Sequence, residues 1–220
     1  MFPLRSIERV VNATPITIAL IAVNLALFLF QNTLPPAAHS AMLMKYAIVP
    51  DQLHSTSLIT SMFLHGGWLH ILGNMWFLWV FGRNLEDVLG GTRFLAFYLL
   101  CGIFAGIAHI LLNWYSPLPT IGASGAIAGV MGGYLVKFPG ARIVTLIFVL
   151  FFVTTMELPA AVLLAYWFVI QIFSGVGSIV ATSYQQGGTA WFAHVGGFVA
   201  GMLLIRRFAT RRRYAQWNWE

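Results

Sequence analysis

Apolar residues in this chain come in long unbroken runs, and nearly all of the charge sits in the short segments between them. Such runs read as helices that cross a hydrocarbon layer about 30 Å thick. They fall near Ile16 to Phe30, Met62 to Phe81, Phe94 to Trp114, Ile121 to Val136, Leu158 to Val180 and Trp191 to Ile205. The segment Ile143 to Met156 is also apolar, but a seventh crossing there would carry Arg206, Arg207 and Arg211 to Arg213 to the outer side. Basic residues favour the cytoplasmic side, which opposes that crossing. This segment is therefore expected to be interfacial or re-entrant and packed against protein. The pattern predicts an all-α membrane protein: six transmembrane helices, both termini cytoplasmic, and a single polytopic domain over residues 1–220.

Composition and charge agree with this reading. The chain is 59% hydrophobic and only 8% charged, too little polar surface to coat a soluble globule. The formal charge of +6 does not form a nucleic-acid-binding patch, because the basic residues stand at the ends of apolar runs. With six spans, Arg5, Arg9, Arg83, Arg93, Lys137, Arg142 and the C-terminal arginines lie inside, and Lys45 alone lies outside. The single cysteine, Cys101, lies within an apolar run and reads as a small buried hydrophobe. Arg5, Arg9 and the first apolar run have features of a cleavable signal. Pro35, Pro36 and the apolar residues beyond them read instead as the start of a structured external loop over residues 31–61, lying partly in the membrane interface. A bacterial inner membrane is expected, since no transit-like leader is evident.

The chemistry gathers at the outer ends of three spans. Ser124 lies in Gly122-Ala123-Ser124-Gly125 at the start of the fourth span, and His194 lies near the start of the sixth. Both spans run inward, so the hydroxyl and the imidazole share one depth. Gly125, Gly129 and Gly132 on one helix, and Gly197 and Gly201 on the other, make small faces that let backbones approach closely. A serine becomes a nucleophile when a base sits within hydrogen-bond reach, so Ser124 and His194 are the candidate catalytic pair. In the second span His70 and Asn74 are four residues apart and share a helix face. With the Ser124 amide they are candidate donors to an oxyanion; the alternative is structural bonding between helices. His65 and His70 could suggest a metal, but five-residue spacing would set them over about 100° apart on a helix, with no acidic ligand nearby. No metal site is expected. No carboxylate falls within a span to orient His194, so a dyad is expected rather than a triad.

Taken together, these motifs resemble the rhomboid family of intramembrane serine proteases. The resemblance rests on GxSG at Gly122 to Gly125, on His70-x-x-x-Asn74 with His65 before it, on Gly82-x-x-x-Glu86-x-x-x-Gly90, and on Ala193-His194-x-x-Gly197, all in the family's order. It implies Ser124 as nucleophile, His194 as general base, and His70, Asn74 and the Ser124 amide as oxyanion donors. It also implies a six-helix core, no cofactor, and a substrate that is itself a transmembrane helix, cut near its outer end. Two positions depart from the family pattern. Ala128 stands where many relatives carry an aromatic that stacks on the catalytic histidine, and Trp191 is a candidate replacement. Thr56-Ser57 stands where many carry Trp-Arg. The alternatives from other classes are a catalytically inactive relative that binds membrane clients, and a small channel or transporter. The latter would need intramembrane charges that the spans lack.

Overall fold

The computed structural model describes residues 1–149, 152–180 and 191–208. Its helices are α1 (Pro15–Thr33), α2 (Pro36–Tyr46), α3 (Ser57–Thr60), α4 (Trp68–Phe77), α5 (Arg83–Leu89), α6 (Gly91–Leu112), α7 (Ser124–Lys137), α8 (Ala160–Val180) and α9 (Trp191–Leu204). A π-helical turn, Leu78–Gly82, joins α4 to α5 without a break. Among the described residues, two helices are long and apolar enough to cross a membrane by themselves, α1 and α6, with mean hydropathies of 1.8 and 2.3. At 14 residues each, α7 and α9 rise only about 21 Å.

The second apolar run does not become a helix at Met62. A short 3-10 turn over Ser61–Phe63 ends in extended backbone at Leu64, and the helix starts only at Trp68, after Gly66 and Gly67. Paired glycines cost helix propensity, so His65 lies in the connection ahead of α4. The segment over residues 31–61 contains α2, which has no fully buried residue.

The all-α expectation fails between α7 and α8. Residues Arg142–Val149 (β2) pair antiparallel with Phe152–Pro159 (β3), and the N-terminal Phe2–Ser6 (β1) pairs antiparallel with β2, giving the order β1-β2-β3. The segment is rich in β-branched residues, among them Ile143, Val144, Thr145, Ile147, Val153, Thr154 and Thr155. Such residues prefer a pleated surface, and the ladder satisfies the backbone that an isolated apolar loop would leave unpaired. Packing against protein holds only for β2, where Ile143 and Thr145 are buried; Phe152 to Glu157 in β3 are exposed.

Two acids fasten the chain's start to the end of α5. Helix α1 has no side-chain cap of its own. Its first amides instead donate to Glu86, from Ile16 N at 2.9 Å and Thr17 N at 2.7 Å, with the Thr17 hydroxyl at 2.7 Å. A carboxylate there satisfies orphan donors and complements the helix dipole. Asp87 accepts from the Asn12 amide at 2.8 Å and its side chain at 2.6 Å. Both acids are buried. Gly90, at φ 78°, ends α5 and lets α6 begin at the next residue.

The centre of the bundle is α6, α7 and α9. Contacts from Gly125 to Ala105, Gly129 to Cys101 and Gly133 to Phe97 run α6 antiparallel to α7, while Gly125 against Gly197 and Gly129 against Gly201 run α7 parallel to α9. A Cβ on Gly197 would meet the Gly125 carbonyl oxygen, and one on Gly201 that of Gly129. Nothing larger than glycine fits between these backbones.

Candidate active site

Because α7 and α9 run parallel and in glycine contact, their first turns lie side by side. Ser124 opens α7, and His194 is the fourth residue of α9, after Trp191-Phe192-Ala193. The Ser124 Oγ and His194 Nε2 are 2.7 Å apart. This is the hydrogen-bond reach a nucleophile and its base require.

The other ring nitrogen of His194 is also occupied. Nδ1 lies 2.6 Å from Oε1 of Gln171, in the middle of α8. An amide oxygen can only accept, so Nδ1 donates, and in the neutral ring Nε2 is left bare to accept the Ser124 hydroxyl proton. The sequence offered no carboxylate for this place, and a carboxamide holds it. The reading by acids alone missed Gln171. One signal was available: it is the single side-chain amide in the apolar run of α8, and a buried amide in such a helix needs a partner.

Two tryptophans flank the imidazole. Trp167 of α8 lies 5.7 Å away between ring centroids, tilted by 39°, and Trp191 lies 6.3 Å away edge-on at 89°. The position one turn after Ser124 is the buried Ala128. Trp167, which the sequence reading did not single out, lies nearer to the imidazole and closer to parallel with it than Trp191 does.

His70 and Asn74 meet Ser124's approach at Gly122. That glycine has φ 122°, a conformation L side chains rarely adopt. A Cβ there would lie 2.7 Å from His70 Nε2 and 3.7 Å from Asn74 Nδ2. Both side-chain nitrogens thus converge on one point two residues before the serine. Gly66 N donates to His70 Nδ1 at 3.4 Å, which leaves a proton for Nε2 in the neutral ring. Asn74 Nδ2 is buried with no partner among the described residues. Ser124 contributes its amide from the first turn of α7, where helix N–H groups have no intrahelical acceptor.

His65 packs its ring edge-on against His70, 5.1 Å between centroids. The expected separation of over about 100° on a common helix does not apply, because His65 precedes α4. Among the described residues no group of three or more His, Cys, Asp or Glu gathers as metal ligands would. A cavity of about 30 Å³ borders Ser124, with Ser61, His109, Thr120 and Gly122 in its wall, enough room for a water molecule.

The model of the Rhomboid domain matches residues 52–211, most of the chain. This chain belongs to the rhomboid family. The rhomboid match makes it an integral membrane protein built as a helical bundle. Rhomboid protein 1, mitochondrial, of Saccharomyces cerevisiae is 29% identical over 218 residues, covering 91% of this chain and 57% of the yeast protein. RHOMBOID-like protein 1 of Arabidopsis thaliana is 31% identical over 164 residues, 73% of this chain and 36% of the relative. Rhomboid protease GluP of Bacillus subtilis is 42% identical over 78 residues, 36% of this chain and 15% of that protein. The chain therefore spans little more than half, or less, of the length of the curated relatives it matches. Several relatives are named as mitochondrial proteins. Family membership thus gives a membrane, without support for the bacterial inner membrane in particular.

Proposed function

We propose that this rhomboid is an intramembrane serine endopeptidase that cuts membrane-protein substrates within or near their transmembrane helices. The observation that carries the reading is the 2.7 Å contact between Ser124 Oγ and His194 Nε2, held by two helices whose glycines bring their backbones together. In the proposed reaction the Ser124 oxygen attacks the scissile carbonyl as His194 Nε2 takes the hydroxyl proton. The oxyanion of the tetrahedral intermediate accepts from the Ser124 amide, His70 Nε2 and Asn74 Nδ2. Such donors act strongly where water is excluded. Collapse breaks the C–N bond, and His194 returns its proton to the leaving amine. Water, deprotonated by the same nitrogen, then attacks the acyl carbon; the acyl C–O bond to Ser124 breaks and His194 returns the proton to the Ser124 oxygen. The unpartnered Nδ2 of Asn74 and its convergence with His70 at Gly122 support the donor roles over structural bonding between helices.

The reading extends to topology. Six spans with both termini cytoplasmic put eleven of the twelve Lys and Arg residues inside. The antiparallel pairing of β2 with β3 supports a segment that returns to the side it left. Arg211 to Arg213 lie outside the described residues. In this topology Ser124 and His194 lie below the outer surface, where a transmembrane helix can present its outer end.

The test is a cleavage assay on a transmembrane-helix substrate in detergent or liposomes, with labelling by a fluorophosphonate probe. Cleavage and labelling should both vanish in Ser124→Ala. Labelling at another serine, or cleavage that survives in Ser124→Ala, would overturn the assignment. An intact but unreactive Ser124 would point to a client-binding relative without activity.

A further inference from the structure

The orientation of the catalytic imidazole is set from α8, by a group outside the serine–histidine pair. Gln171 is buried at 5% exposure and its Oε1 stands 2.6 Å from His194 Nδ1. Around it α8 is turned largely outward: Val169, Ile170, Ile172 and Phe173 are all exposed. Burial of a lone carboxamide in such a helix costs free energy unless it is hydrogen-bonded, and the bond it makes is to the catalytic ring. No Asp or Glu occurs among the described residues of α8 or α9, so no carboxylate on those two helices competes for that nitrogen.

We propose that Gln171 is the positioning residue of this rhomboid's active site, completing a Ser124–His194–Gln171 relay in which a neutral amide oxygen does what a carboxylate does in a charged triad. This rests on the protease reading above. The physical reason is the tautomer. Neutral imidazole carries one proton, and an acceptor at Nδ1 holds it there, which leaves Nε2 free to take the Ser124 proton. Removing that acceptor lets the proton move to Nε2, where the ring cannot act as base, and lets the ring turn about its χ angles. A neutral acceptor gives weaker support to the imidazolium that forms during attack than a carboxylate would. It also spares a buried site the desolvation cost of an unpaired charge.

The choice of substitutions decides the matter. Gln171→Met keeps the length and volume of the side chain and deletes the acceptor. Gln171→Glu keeps an acceptor and removes every donor, so it also reports which end of the amide faces the ring. In a cleavage assay Gln171→Met should lower kcat by about 10- to 100-fold, on the scale of the outer-shell acceptors that orient metal-bound histidines. KM and the melting temperature should stay near those of the unsubstituted chain. Gln171→Glu should recover most of the lost kcat. Nitrogen NMR of histidine-labelled protein, with His194→Ala to assign the signal, should show His194 protonated at Nδ1 in the unsubstituted chain. In Gln171→Met it should show a mixture of tautomers.

Unchanged kcat in Gln171→Met, or a fall in melting temperature that accounts for the whole loss, would overturn the positioning role alone. So would Gln171→Glu that is no better than Gln171→Met, because the amide would then be donating to Nδ1 rather than accepting. An unsubstituted chain no more active than Ser124→Ala would overturn the protease reading, and the positioning role with it.

Discussion

Helix α9 is seated on its two neighbours in different ways. Toward α7 the contact is backbone on backbone: a Cβ at Gly132 would run into the Phe198 carbonyl, just as those at Gly197 and Gly201 would run into Gly125 and Gly129. Toward α8 the contact is made by side chains. A Cβ at Gly175 would lie 3.2 to 3.3 Å from the Phe192 ring and the Trp191 Cβ, and Trp167 and Gln171 reach across to His194. Backbone cannot yield, and side chains can. Ser124 Oγ and His194 Nε2 belong to the first interface, where their separation is fixed by two helices with no slack. The second interface delivers an acceptor and an aromatic face, which a side chain can position without the helix itself being held as tightly.

The largest effect should come from the pair that the α7–α9 interface holds. His194→Ala should reduce cleavage by roughly 10⁴- to 10⁶-fold, and adding Ser124→Ala should cost almost nothing more, since groups acting as a unit are not additive. Losses that multiply in the double mutant, measured as kcat/KM, would mean that the contact is structural.

Next come the donors that α4 brings to the same point. Asn74→Ala should lower kcat by about 10²- to 10³-fold with little change in melting temperature, and His70→Ala should behave alike. Interhelical glue predicts the reverse: an unfolding loss of about 0.6 to 2 kcal/mol with activity kept in the folded fraction.

The comparison itself is tested by adding one methyl group to each interface. Gly201→Ala forces two backbones apart and should destabilise by about 1 to 3 kcal/mol or more, with loss of cleavage as Ser124 and His194 separate. Gly175→Ala meets only side-chain atoms, the Phe192 ring and the Trp191 Cβ, which need shift by a few tenths of an ångström, and it gains up to about 1 kcal/mol of helix propensity, so it should melt within a degree or two of the parent. Equal losses at the two sites would erase the distinction between the interfaces.

The smallest effect belongs to the sheet. Val153 in β3 is 60% exposed, and Val153→Thr should change stability by no more than about 0.5 kcal/mol and leave cleavage unchanged. A larger loss of activity would tie the hairpin to the site at the opposite end of α7.

The apolar runs could be read directly because a spanning segment is a property of one stretch of chain, its length and hydropathy. The ends were harder. The second run begins as a helix at Trp68 rather than Met62, because the Gly66-Gly67 pair outweighs the apolar pattern. The segment after α7 was apolar in either reading, and its β-branched residues, not its hydropathy, select strands. Ser124 and His194 could be paired at 70 residues' separation because glycine spacing marks two helix faces made for each other. His70 and Asn74 could be paired because helix periodicity puts them on one face.

Sequence alone thus determined the hydrophobic class of the chain, its helical runs and the candidate Ser124–His194 pair, since each is written in spacing along one element or in a motif. Tertiary structure decided what those groups touch. Gln171 is 23 residues from His194 with no periodic signal linking them, Glu86 caps α1 through Ile16, 70 residues before it, and Gly122 meets His70 through backbone at positive φ. A hydrogen bond depends on angstrom-scale placement of two atoms. Where the chain between them folds back through several helices, only the packing of those helices brings the atoms together.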